Sequence, residues 1–140
     1  MNKTDQPYLI KFPKFGSDDI GFISVAENLN LPFVPKRIYW TFQTPDNVSR
    51  GEHAHLQLKQ VLISMSGNIE LTVETINGDC FEFNLDSPEF GVYIPDKSWR
   101  KMKYSNNALQ VCIASDVYDE SDYLRNYNEF EKLKKKFEGN

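Results

Sequence analysis

Apolar and polar residues alternate most cleanly in two neighbouring stretches, Ile69–Glu74 and Cys80–Leu85. A period of two marks half-buried strands, and the Asn77-Gly78-Asp79 step between them marks a hairpin turn. Residues 36–44 alternate as well, with Arg37, Tyr39, Thr41 and Gln43 on one face and Ile38, Trp40 and Phe42 on the other. Shorter apolar runs at 8–12, 20–27, 61–64, 91–95, 99–104 and 108–115 read as further strands. Pro13 with Gly16 breaks the first of them, and Pro95 ends the run at 91–95. Many short strands at close spacing predict an all-β barrel or sandwich. From Asn128 the period changes. Phe130, Leu133 and Phe137 fall at helical spacing, acidic residues lead, lysines follow and Gly139 closes. The expected organisation is one domain over 1–140, with a β core at 8–127 and a short C-terminal helix at 128–138.

Composition narrows the function classes. A net charge of -4 argues against broad nucleic-acid binding, which needs a basic footprint. The lysine run at 134–136 then reads as a solvated helix face. The start of the chain lacks the apolar core of a signal peptide, and no run is long enough to cross a bilayer, so a cytoplasmic protein with no membrane role is expected. Cys80 and Cys112 form no CxxC pair and read as free, buried thiols.

The candidate chemistry gathers at Arg50-Gly51-Glu52-His53-Ala54-His55, which holds both histidines of the chain. If this segment is extended, the two imidazoles point to one face. They then form a metal-ligand pair, an acid/base pair, or a polar patch on a barrel surface. Arg37, Arg50 and Arg100 are fixed cations suited to a diphosphate, and they would favour the neutral form of a nearby histidine. Tyr39 shares a strand face with Arg37 and is a candidate acid. Trp99 reads as packing, and Asp119, Glu120 and Asp122 read as a solvated turn.

The His53-x-His55 spacing, with Gly67 in register behind it, resembles the first motif of the cupin barrels. Gln60 stands where that motif has its glutamate ligand, and Arg100 stands where the second motif has its histidine. A permanent cation and a neutral amide are poor metal ligands, so no metal is expected. The resemblance is closer to the sugar-nucleotide 3,4-ketoisomerases. It is carried by Lys36-Arg37-Ile38-Tyr39-Trp40, the His53-Ala54-His55 box, Leu58–Ile63, Gly91–Ile94 with Trp99-Arg100, and the tail Tyr118-Asp119-Glu120-Ser121-Asp122-Tyr123. It implies an RmlC-like cupin jelly roll and a metal- and cofactor-free isomerase of dTDP-4-keto-6-deoxy-D-glucose, working in deoxysugar biosynthesis for a lipopolysaccharide or S-layer glycan. By that similarity His53 and His55 are the acid/base pair, with His55 favoured as the base at C3. Tyr39 is the third catalytic residue, while Arg37, Arg50, Gln60 and Arg100 bind substrate. The family resembled is typically a homodimer that exchanges N-terminal strands. A 3,5-epimerase of the same barrel class, or a non-catalytic cupin that binds a sugar nucleotide or a metal, are the alternatives.

Overall fold

In the computed structural model, which describes residues 6–138, two five-stranded sheets face each other. The first runs β1 (Tyr8–Lys11), β9 (Phe90–Ile94), β6 (Gln60–Ser66), β11 (Leu109–Ala114) and β4 (Arg37–Phe42). The second runs β12 (Tyr123–Leu124), β5 (Ser49–His55), β10 (Trp99–Tyr104), β7 (Ile69–Glu74) and β8 (Cys80–Leu85). The chain crosses repeatedly from one sheet to the other, which is the jelly-roll arrangement. Inward residues of both sheets form the main core: Leu62, Val92, Ile94 and Cys112 from the first, Ile69, Leu71, Val73, Leu85 and Met102 from the second. The alternation of β7 and β8 therefore does what period two requires, with one face buried and one in water.

The helix α1 (Tyr127–Glu138) begins one residue before the expected start. Its Phe130 is fully buried and stacks on Trp99 at 5.9 Å between ring centres, so Trp99 is a packing residue. Lys134 pairs with Glu74 and Glu131 and ties the helix to β7. Gly139, the expected helix stop, lies outside the described residues.

Two local expectations are corrected, and the facing of β4, left open by its alternation, is settled. The first strand does end before Pro13, but the chain resumes as a further strand, β2 (Lys14–Ser17), paired with β3 (Gly21–Ser24). Gly16 sits at φ +132° and its missing Cβ leaves room for the Gly21 carbonyl, so the glycine permits the hairpin instead of breaking it. Cys80 is exposed at the start of β8, and only Cys112 is a buried thiol. On β4 the apolar face is the outer one: Ile38, Trp40 and Phe42 are exposed, while Arg37, Tyr39 and Thr41 point into the barrel. The barrel is filled by apolar side chains at one end and hollow at this one.

Candidate active site

The hollow end is a cavity of about 490 Å³, a size suited to a small-molecule ligand. One wall is β5. Its Gly51 and Glu52 both have positive φ, +82° and +53°, and the pairing with β10 slips by one residue here. This is a β-bulge, which bends a strand and re-aims the side chain that follows. A Cβ on Gly51 would lie 3.0 Å from the Arg100 carbonyl oxygen, a tight contact at a φ that already favours glycine. The bulge brings the Gly51 carbonyl oxygen 2.9 Å from His53 Nδ1. A carbonyl only accepts, so His53 carries its proton on Nδ1 and its lone pair on Nε2.

His53 and His55 share one face, as their spacing predicts, with ring centres 4.9 Å apart and edge to face. His53 lines the cavity. His55 lies behind it and is only 1% exposed. Burial, and then the Arg100 guanidinium, lower the His53 pKa to about 4. The same two causes, in the same order, hold His55 lower still. Both imidazoles are neutral at pH 7 and fit to accept a proton.

The opposite wall is β4 with the buried residues beneath it. Arg100 and Gln60 are 1% and 2% exposed and lie under the cavity surface. Arg100 donates through Nη1 to Gln60 Oε1 and through Nη2 to the Ser98 carbonyl, 3.0 Å away. A guanidinium only donates, so it fixes which end of the Gln60 amide faces it. The other end, Nε2, donates to the Tyr39 hydroxyl at 2.8 Å. Tyr39 therefore accepts there and keeps its own O–H, which lies beside the Cys112 thiol at the edge of the cavity that Tyr39 lines. Burial raises its pKa well above the usual phenol value, so it keeps its proton at neutral pH.

Of the four residues expected to bind substrate, Arg37 and Arg50 line the cavity, while Gln60 and Arg100 lie beneath its surface. Three further residues of the wall come from the tail: Tyr118, Tyr123 and Arg125. Tyr123 sits across β12 from His55, with ring centres 4.3 Å apart. Arg125 lies over the Tyr123 ring and is held by Glu120 through two hydrogen bonds of 2.7 and 2.9 Å. Sequence reading missed these roles, although the tail carries part of the resemblance. Asp122 is no solvated turn residue either. Its carboxylate accepts from the backbone N–H groups of Gln57 and Leu58 and lies 3.2 Å from His55 Nδ1. Among the described residues no three His, Cys, Asp or Glu side chains are placed to share a metal ion.

Comparison with known proteins agrees with this geometry. The chain is 36% identical over 126 residues to a TDP-4-oxo-6-deoxy-alpha-D-glucose-3,4-oxoisomerase of Aneurinibacillus thermoaerophilus, covering 89% of each chain. Its fold matches the sugar 3,4-ketoisomerase QdtA from Thermoanaerobacterium thermosaccharolyticum, solved with TDP, at a TM-score of 0.86 and 33% identity, over 94% of this chain and 96% of that one. The dTDP-4-dehydrorhamnose 3,5-epimerase of Bacillus anthracis shares the fold alone, at a TM-score of 0.73 and 13% identity, over 88% and 79% of the two chains. The architecture is therefore the RmlC-like cupin jelly roll. With residues 5–135 matching the family model described as FdtA: WxcM-like, C-terminal, the chain belongs to that family.

Proposed function

We propose that this protein is a metal-independent 3,4-ketoisomerase that converts dTDP-4-keto-6-deoxy-D-glucose to the 3-keto sugar. The observation that carries the reading is the pairing of two neutral imidazoles on one wall with a phenolic donor on the other. The C3 proton of a 4-keto sugar is acidic because its carbanion delocalises into the carbonyl. His53 Nε2 takes that proton. The C–H electron pair becomes the C3–C4 double bond, the carbonyl π pair moves to O4, and Tyr39 gives O4 its proton. In the second half O3–H returns a proton to Tyr39 and becomes a carbonyl. The double-bond pair then takes the proton from the His53 imidazolium at C4. Hydrogen has moved from C3 to C4 and from O3 to O4, with no net redox change. His53 is the better base than His55 because it lines the cavity. Arg37, Arg50 and Arg125 supply a cationic cradle for the diphosphate, with bidentate geometry that suits phosphate oxygens.

Incubation with dTDP-4-keto-6-deoxy-D-glucose in deuterated water, followed by NMR, tests the reading. A 3-keto product is expected, carrying solvent deuterium at C4 to the extent that the His53 imidazolium exchanges its proton before returning it. Deuterium at C5 would favour the 3,5-epimerase instead, and binding without exchange would favour a non-catalytic cupin.

We further propose that the protein works in the cytoplasm as a homodimer, in the supply of a deoxysugar for a cell-surface glycan. Supporting the dimer, the β2–β3 hairpin pairs with no other strand among the described residues, and its residues are exposed. An isolated two-stranded hairpin is marginal in water. β4 is an edge strand that presents Ile38, Trp40 and Phe42 to solvent, and such an apolar edge calls for cover. Exchange of the N-terminal strands would swap the β1–β9 pairing for the same pairing between copies. A mass of one chain in solution light scattering would rule the dimer out.

A further inference from the structure

We propose that Asp122 is a positioning residue for this isomerisation: it fixes His55 as the Nδ1–H tautomer, leaving an acceptor lone pair on Nε2. The inference rests on the ketoisomerase reading above.

The carboxylate of Asp122 is held by the segment it serves. Its Oδ1 accepts from the Gln57 N–H at 2.8 Å, and its Oδ2 accepts from the Leu58 N–H at 3.2 Å. Its backbone carbonyl accepts from the Leu56 N–H at 2.9 Å. Three consecutive backbone donors just after His55 therefore lock one residue, 67 positions later in the chain. The lock leaves Oδ2 3.2 Å from His55 Nδ1. An ionised carboxylate has nothing to donate, so the imidazole must. In the neutral ring the lone pair then sits on Nε2. That atom is buried and has no hydrogen-bond partner among the described residues. Leaving a buried acceptor unpaired costs about 1–3 kcal/mol, a cost tolerated where the atom has work to do.

The consequence is a matched pair. His53 is held in the same tautomer by the Gly51 carbonyl, so both rings keep Nε2 free of protons at rest. When His53 carries the substrate proton, the neighbouring ring offers an acceptor in place of a second N–H. The Asp122 carboxylate adds a negative charge behind the pair. With the other tautomer, His55 would present an N–H dipole to an imidazolium.

Asp122→Asn separates these effects. Its amide oxygen keeps the shorter bond, from the Gln57 N–H at 2.8 Å, and gives up the longer one from the Leu58 N–H at 3.2 Å; the NH2 group then faces His55 Nδ1 and turns that ring to the Nε2–H tautomer. The chain has only two histidines, so a long-range 1H–15N spectrum of the labelled protein reads both rings directly. The wild type should show Nδ1–H at both. In Asp122→Asn only His55 should switch, with kcat lower by roughly 10²–10⁴-fold and KM within about threefold. An Nε2–H His55 in the wild type would overturn the proposal, and that measurement needs no variant to fold. So would an Asp122→Asn protein that keeps both tautomer and kcat. Asp119→Ala, which removes only the cap of the same turn, should leave the His55 tautomer unchanged. If wild-type protein fails to exchange the C3 proton, the ketoisomerase reading falls, while the tautomer result stands separately.

Discussion

The two walls of the cavity are built on opposite hydrogen-bond logic. On the β5 wall the orienting groups are acceptors, the Gly51 carbonyl and the Asp122 carboxylate. They pull the imidazole protons away and leave lone pairs. On the β4 wall the orienting group is a donor, Arg100, which turns the Gln60 amide so that Tyr39 keeps its own proton to give. One wall presents bases and the other an acid. A reaction that moves hydrogen between adjacent carbons and adjacent oxygens needs both, and in each case the sense is set from behind the surface.

Each wall can be inverted by a small change. His53→Asn removes the base that lines the cavity and should lower kcat by roughly 10²–10⁴-fold, measured as product formation by NMR. Gln60→Glu replaces the amide donor with an acceptor, so the Tyr39 hydroxyl turns inward to meet it. On the proposed mechanism kcat should fall by about 10–10²-fold with the diphosphate affinity kept, as read by nucleotide titration. Equal losses in kcat and binding would argue against that directing role.

Acid sharpens the contrast, because it protonates the bases and leaves the already protonated phenol unchanged. The His53 pKa is about 4 in the folded state, below its ordinary 6.5. The unfolded chain therefore binds more protons than the native one between those values. Its contribution to stability is complete above about pH 6.5 and is lost as pH falls toward 4, so the urea midpoint should decline across that window. The acid limb of kcat/KM should lie near pH 4; a limb near 6.5 would contradict a buried neutral base. The smallest effect is expected at the bulge. Gly51→Ala strains a residue at φ +82° and should cost about 1–2 kcal/mol of stability, by denaturant titration.

The parts of this architecture legible in the sequence were those that depend on neighbours in the chain. Period two placed β7 and β8, helical spacing placed α1, and the one-residue gap put His53 and His55 on a common face. The inward and outward faces of β4 were separable, but not which one met water, because that depends on the hollow end of the barrel. Asp122 was misjudged for the same reason. Its partners lie 64 to 67 residues away, and an aspartate in an acidic turn looks solvated until β12 returns to β5. Arg100 was expected to bind substrate. Its burial depends on Gln60, the Ser98 carbonyl and the Asp122 carboxylate being assembled around it.

The return of β12 has a consequence for how the molecule comes into being. Both histidines lie before the middle of the chain, yet the residue that orients His55, and three residues of the cavity wall, come from positions 118 to 125. During synthesis the chain emerges from its N-terminus at several residues per second. The growing polypeptide therefore exposes its bases early and completes their setting almost last. A chain released before residue 122 would carry both imidazoles but lack the carboxylate that orients one of them, so on this reading activity also reports that synthesis has run nearly to its end.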